Sequence, residues 1–412
     1  MSRNTRRTFL KQAAIGTAAA LAYPSASILG ANDRIRVGMI GVGGRGTELL
    51  KQVLELHDAQ LVAIADIYAR RRDEAKQNAP GIETLDHYER LLDRKDIDGV
   101  IVASPLHIHK LHFTNTLAAG KDLYSEKTMT WSIAEAEQCL DAAKKSDRVV
   151  QIGLQHESSG PLADARKWLK DGLVGKVTEV EAWMSRNTRH GKAQWVREVP
   201  ADCTPQNVDW KAFLNERSDR PFDGFKFINW RLYWEFSGGN VTENMVHQIA
   251  WIMTALELPI PSAATMSGGV FSEKDGREVP DTIVATMEYP GDVVVTWQST
   301  FSNSHYGLGE RFLGSDGSIE HIAGATDMVS GKSSEVVRYS PEKINRPQGV
   351  TLTGDSPGQN HMQNWLDCMR SRKSPNASVD IGYRSAIAAH MVNIAYREKQ
   401  RVTFESAKAF QA

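Results

Sequence analysis

The sequence has 412 residues, more than one ordinary domain, and the length predicts two or three. It carries 49 Lys and Arg against 50 Asp and Glu, a formal net charge of -1, and no basic stripe, which excludes a nucleic-acid partner. Hydrophobic residues make up 41%, ordinary for a soluble globular chain, and the three cysteines, Cys139, Cys203 and Cys368, are too few and too scattered for a disulfide framework.

In chain order the first feature is Thr5-Arg6-Arg7-Thr8-Phe9-Leu10-Lys11 ahead of an apolar run from Ala13 to Ala22. Twin arginines before a short apolar stretch are a receptor-read export address rather than an anchor. The expectation is a signal segment over 1–31, with small residues at Ala20 and Ala22 or Ser25 and Ser27 available for cleavage. It would deliver a soluble protein to the periplasm or another extracytoplasmic space. Beyond it no apolar run approaches the roughly 20 residues that span a bilayer.

Residues 32–155 alternate short apolar runs with amphipathic stretches, the mark of βαβ units on a parallel sheet. Strands are expected at Ile35 to Ile40, Gln60 to Ala65, Gly99 to Ala103, Asp122 to Ser125 and Val149 to Gly153. Helices are expected at Thr47 to Leu56, Leu111 to Ala119 and Ser132 to Lys145. Residues 156–412 change character: Val177 to Met184, Val270 to Ser272, Thr282 to Tyr289 and Val293 to Ser299 are β-branched or alternating, punctuated by Gly and Pro. They predict an α+β domain on a large, mostly antiparallel sheet. A helical segment from His361 to Lys399 would pack back on the molecule.

The loop Gly41-Val42-Gly43-Gly44-Arg45-Gly46 follows the first strand and opens a helix, and Asp66 ends the next strand. In that context G-x-G-x-x-G is a dinucleotide fingerprint: Gly41 for the turn, Gly43 for close approach of the pyrophosphate, Gly46 for helix–strand packing. The helix N-terminus supplies free N–H groups for the phosphates. A carboxylate at Asp66 accepts from both ribose hydroxyls and repels a 2′-phosphate, favouring NAD over NADP. Arg70, Arg71 and Arg72 follow; one of them reaching a 2′-phosphate is the alternative that would admit NADP, and a solvated helix face is the expected fate. Two later strand ends, at Ala103-Ser104-Pro105-Leu106-His107-Ile108-His109 and at Ser125-Glu126-Lys127, should face the same crevice, because ligands bind outside the carboxyl ends of such strands.

With the glycine loop, the strand-ending proline and downstream histidine, the Glu126-Lys127 pair and a later histidine helix, the chain resembles the Gfo/Idh/MocA family from about Arg34 to its end. The resemblance implies an NAD(P)-dependent oxidoreductase acting on a carbohydrate-like small molecule, assembled as a dimer or tetramer. It implies cofactor contacts from Gly41, Val42, Gly43, Gly44, Arg45, Gly46, Asp66, Ser104, Pro105, His109, Glu126, Lys127 and Gln155. Where the family has Glu-Lys-Pro this chain has Glu126-Lys127-Thr128, which removes a fixed φ and the usual reason for a cis bond.

Lys127 suits hydrogen bonding to a reacting oxygen beside a nicotinamide. In Gly238-Gly239-Asn240-Val241-Thr242-Glu243-Asn244-Met245-Val246-His247, Glu243 and His247 are spaced i, i+4, so on a helix the carboxylate would orient the imidazole. His247 is the candidate acid/base and Lys127 its competitor. Glu243 replaces the family's aspartate, and Ala250 replaces a second one. Six of the ten tryptophans fall between Trp183 and Trp251, and of these Trp230 and Trp234, with Arg231, are the candidate substrate contacts. Tyr306 and Arg311 are read as a closing loop. His107, His109 and His112 lack the carboxylate or cysteine that would complete a metal site, so no metal is expected.

An exported nucleotide enzyme loses its recycling pool, so the nucleotide should be tightly held, loaded before export and returned to its starting state within the cycle. The alternatives are a glycoside hydrolase or lyase that uses bound NAD without net redox, and a noncatalytic sugar sensor.

Overall fold

The computed structural model describes residues 34–326 and 333–410, so the leader at 1–31 lies outside the described residues. The first layer follows from buried β-branched runs separated by helices: β1 (Ile35–Ile40), α1 (Gly44–Glu55), β2 (Ala59–Ala65), α2 (Ala69–Asn78), β3 (Glu83–Leu85), β4 (Gly99–Val102), α3 (His109–Ala118), β5 (Asp122–Ser125), α4 (Ile133–Lys144) and β6 (Val150–Ile152). The six strands are parallel in the order β3-β2-β1-β4-β5-β6, a doubly wound sheet whose chain order reverses beside β1. α1 lies hard on β1 because Gly46 has no side chain: a methyl there would sit 2.2 Å from the Gly41 carbonyl oxygen. Gly41 turns at φ +85, where the same addition would meet Ala103 at 2.8 Å. No other residue fits either position without moving backbone.

The second layer comprises α5 (Gly160–Lys170), β7 (Val177–Ser185), a π-turn at Val241–Met245 running into α6 (Val246–Leu256), β8 (Ala263–Gly269), β9 (Thr282–Tyr289), β10 (Val293–Thr300), β11 (Leu308–Gly314), β12 (Gly317–Thr326), β13 (Ser333–Pro341) and β14 (Leu352–Thr353), then α7 (His361–Ser371), α8 (Val379–Glu398) and β15 (Val402–Thr403). Its nine strands run β14-β13-β12-β11-β7-β10-β9-β8-β15, antiparallel except where β7 pairs with β10. α6 is apolar nearly all round, and Ile249, Ala250, Trp251, Ile252 and Met253 are buried. Ala250 therefore stands in packing, with no room for a carboxylate. α7 returns to the first sheet: Met362, Trp365, Leu366 and Met369 share a core with Val37, Met39 and Leu50. Trp365 is fully buried, and truncating it to alanine costs about 3–5 kcal/mol.

Two expected elements differ. Val270 to Ser272 is not a strand; β8 ends at Gly269. The Asp281 carboxylate takes the N–H groups of Phe271, Ser272 and Glu273 at 3.0, 3.0 and 2.7 Å, so the donors a ladder needs are already bound. The helical segment from His361 is two helices. Arg372 turns left-handed at φ +56, and Pro375 follows, so the first cannot continue.

Candidate active site

The carboxyl ends of β1, β4 and β5 meet the π-turn and the segments around Arg186, Arg197 and Trp230. Two adjoining cavities result. The smaller, about 90 Å³, lies beside Asp66, with Ile67, Tyr88, Ile108 and Phe227 as apolar walls suited to a flat heterocycle. The larger, about 450 Å³, holds the chemistry. Ser104, Pro105 and Arg71 line both.

Each Asp66 carboxylate oxygen takes one backbone N–H, Val42 at 2.8 Å and Tyr68 at 2.9 Å. Those bonds fix the glycine loop to the end of β2 and leave a lone pair on each oxygen for ribose hydroxyls. The three arginines that follow separate. Arg70 pairs with Asp202, and Arg72 donates to the Asp66 carbonyl at 2.7 Å. Arg71 departs from the expected solvated face. It stacks against Tyr68 and Phe227, and a methyl on Gly43 would lie 3.3 Å from its guanidinium carbon. Arg197 mirrors it, 3.1 Å from the equivalent position on Gly44. Two guanidiniums thus overhang the N-terminus of α1, where the bare glycine backbone, the helix dipole and both cations fit a pyrophosphate.

Arg45 reaches the other way, donating to Glu126 at 2.9 Å and to Glu48 at 3.0 Å, with Gln155 accepting from it and donating to Gly153. Arg45 and Gln155 brace Glu126 and the ends of β5 and β6. His109 is buried under the cavity, its ring nitrogens 2.8 Å from the carbonyl oxygens of Ser104 and Thr128. It holds those two segments in place and has no spare donor for a ligand. His107 contacts the Phe213 carbonyl oxygen at 2.6 Å, and His112 the Ser104 hydroxyl at 2.9 Å, on the residue whose carbonyl His109 meets.

The Lys127–Thr128 peptide is cis although no proline follows, contrary to expectation. Lys127 Nζ donates to the Glu243 carbonyl oxygen at 2.8 Å and to Glu243 Oε2 at 3.2 Å. Three ammonium hydrogens minus these two bonds leave one for a substrate oxygen. Arg231 Nε donates to the same carboxylate at 3.0 Å while its guanidinium lies 4.3 Å over the Trp230 ring. Burial alone would raise the Glu243 pKa, but Lys127 and Arg231 outweigh it and hold the carboxyl at about 2. Glu243 is therefore the counter-ion of a lysine and an arginine. It does not orient His247, as the i, i+4 spacing predicted. Residues 241–245 form a π-turn, with i to i+5 bonding, so that spacing no longer aligns the two side chains.

His247 has a buried Nδ1 with no hydrogen-bond partner among the described residues. Burial pushes its pKa well below the ordinary value, and the charges of Lys127, Arg45 and Arg186 push the same way. It stands as a neutral imidazole. The His156 ring lies 5.6 Å from it, also driven neutral by burial. The cavity is lined by six cationic side chains (Arg45, Arg71, Lys127, Arg186, Arg197, Arg231) and two carboxylates (Glu126, Glu243). The excess of cations suits phosphate and oxygen-rich ligands.

Trp230 lines this cavity, but Trp234 does not. Its ring turns to Tyr396 and Arg397 in a separate cavity behind the Gly238-Gly239 turn. Tyr306 and Arg311 form no closing loop. Arg311 sits within β11, paired with Glu181 and Glu320, and Tyr306 is exposed over the outer sheet face. The sequence reading missed His156, Arg186, Arg197 and Asn244, all at this cavity. Arg186 directly follows the end of β7, the signal that found Lys127; His156 lies in a 3-10 turn four residues past β6, and Arg197 sits in a loop with no pattern to read.

Residues 35–154 match the family described as oxidoreductase family, NAD-binding Rossmann fold, and residues 216–404 match its C-terminal alpha/beta domain. The chain is 30% identical over 181 residues to inositol 2-dehydrogenase of Gluconacetobacter diazotrophicus, covering 43% of this chain and 53% of that protein. It is 28% identical over 226 residues to a glycosyl hydrolase family 109 protein of Shewanella baltica, covering 46% and 49%. The chain thus spans about half the length of these relatives. In fold it is similar to a putative NADPH-dependent oxidoreductase of Desulfitobacterium hafniense, with a TM-score of 0.70 at 15% identity over 90% of this chain and 98% of that one.

Proposed function

This chain belongs to the Gfo/Idh/MocA oxidoreductase family, and from that premise we propose that it oxidises a hydroxyl of a sugar, polyol or glycoside with NAD held in the crevice. The observation that carries the reading is His247, a neutral imidazole whose Nδ1 has no partner among the described residues, in the cavity that also holds Lys127 and the glycine loop. Bound NAD supplies a hydride acceptor. Asp66 would hold its ribose, and Gly43, Gly44, Arg71 and Arg197 its pyrophosphate. The free Lys127 hydrogen orients the reacting oxygen, His247 takes the hydroxyl proton, and Glu243 keeps the lysine in place. Asp66 favours NAD over NADP by repelling a 2′-phosphate.

The twin-arginine leader supports export, and export supports a nucleotide that stays bound and is restored by a second substrate. Exposed Val284 and Val294 on the outer face of the second sheet favour self-association. Denaturing the purified protein and identifying the released nucleotide by mass spectrometry tests the reading. Stoichiometric NAD, reduced when a panel of aldoses and inositols is added, is the expected result. Protein that carries no nucleotide and reduces none under any of these substrates overturns it. A second reading, glycoside cleavage through transient oxidation, is supported by the family 109 relatives and by the facing His156 and His247 rings. Release of an aglycone from aryl glycosides without net reduction would select it.

A further inference from the structure

A second cavity, about 370 Å³, lies behind the Gly238-Gly239 turn and contains none of the residues of the cofactor crevice. Its volume is within the range of small-molecule sites, about 300–1,000 Å³. Two polar side chains of α8 line it, each more than nine-tenths buried, and each leaves one atom without a hydrogen-bond partner among the described residues. They are His390 Nε2 and Asn393 Oδ1. Asn393 spends its amide N–H on the Gly238 carbonyl oxygen at 2.9 Å, so its orphan oxygen is purely an acceptor. Burial drives the His390 pKa down to about 4, with only the Thr130 backbone opposing, so the ring is neutral. Its unpartnered Nε2 accepts an O–H in one neutral tautomer and donates an N–H in the other. Two buried polar atoms without partners are each destabilising until a ligand or water pairs with them.

The rest of the lining completes the chemistry. Trp131 and Trp234 give aromatic surface, and Trp131 is fixed by its indole N–H donating to the Trp234 carbonyl oxygen at 2.9 Å. Arg397 lies over the Trp234 and Phe410 rings at 5.7 and 4.8 Å and makes no ion pair with any described carboxylate. Arg397 is exposed, and partial burial lowers its pKa against the opposing charges of Glu398 and Glu278.

We propose that this cavity is a second ligand site, for a monosaccharide acid: hydroxyls pair with His390 and donate to Asn393, the ring lies against the indoles, and the carboxylate meets Arg397. A neutral sugar would satisfy His390 and Asn393 but leave the arginine alone, and a simple carboxylate would do the reverse. The site also touches the catalytic segment. Asn393 holds the Gly238 carbonyl, the Gly238 N–H donates to Thr242 Oγ1 at 3.1 Å, and the Thr242 carbonyl accepts from Thr128 beside Lys127.

Calorimetric titration of the NAD-loaded protein with D-glucuronate, D-gluconate, D-glucose and acetate tests the proposal. The cation-rich crevice could also take a sugar acid, so two variants separate the sites. Expected is saturable binding of at least one of the two acids, ten-fold or more tighter than glucose or acetate. It should weaken at least ten-fold in Arg397→Gln and Trp234→Leu and survive in Arg231→Gln. Binding lost in Arg231→Gln and kept in Arg397→Gln places the acid in the crevice and overturns the proposal. So does the absence of binding of both acids by wild-type protein whose nucleotide is bound and reducible, a result that leaves the oxidoreductase reading intact.

Discussion

His247 at the crevice floor is half-buried and His321 in the second sheet fully buried, yet the first stands neutral and the second charged. Around His247 the neighbours are cations and a neutral ring, and its pKa falls well below the ordinary value. His321 sits between Glu310 at 2.6 Å and Glu335 at 3.2 Å, stacked 5.1 Å from Trp251. Burial opposes its charge there too, but the two carboxylates win and raise its pKa to about 9. Burial by itself thus decides neither the charge nor the role. Partners do: a satisfied, charged histidine ties strands together, whereas an unsatisfied, neutral one stands ready to take a proton.

The largest break in this contrast should come from exchanging the two losses. His247→Ala removes the proposed base, and turnover should fall by about 10²–10⁴-fold with thermal stability nearly unchanged. His321→Leu leaves Glu310 buried without its counter-charge, and chemical denaturation should show a loss of about 3–5 kcal/mol. Turnover per folded molecule should stay within a few-fold. If His321→Leu instead abolished turnover in fully folded protein, the division between structural and catalytic histidine would fail.

The pH dependence of stability sharpens the same point. The folded-state pKa of His321, about 9, exceeds the ordinary 6.5, so its contribution is complete below about pH 6.5 and is lost as pH rises through about 9. Wild-type protein should lose on the order of 1–3 kcal/mol across that window, and the loss should be absent in His321→Leu. Denaturation midpoints at pH 6, 7.5 and 9 would measure it.

The two halves of the crevice also differ in how far the sequence discloses them. The nucleotide half is local: one loop, one helix start and one acid at the next strand end, each adjacent to a strand whose apolar run is plain. Gly41, Gly46 and Asp66 could be placed because a strand end fixes where they point. The catalytic half is assembled across the fold. Lys127 comes from β5, Glu243 from the π-turn, and Arg186 and Arg197 from segments after β7. Helical spacing paired Glu243 with His247, but the inserted residue of the π-turn and the charge on Lys127 redirected the carboxylate. Aromatic clustering grouped Trp230 with Trp234, although four residues across a bend put them in different cavities. Fold class follows from periodicity, which is local. The charge environment of a site follows from tertiary contacts, which are not.

The smallest expected effect tests the electrostatics of the crevice directly. Arg186 is half-buried near Glu243 and contributes to keeping His247 neutral, behind burial and the charges of Lys127 and Arg45. Arg186→Met deletes one cation with little change in volume. The imidazole should then accept a proton at higher pH, and the acid limb of kcat/KM should move upward, by about half a unit to one unit for one partly screened charge. The plateau at higher pH should change less than the limb, because the base there is neutral in both proteins. Arg72→Met, which removes a charge bound to the Asp66 carbonyl and not among the cations acting on His247, should leave the limb where it was. A limb that moves equally in both variants would mean that net charge, rather than the ring of cations around His247, sets its protonation.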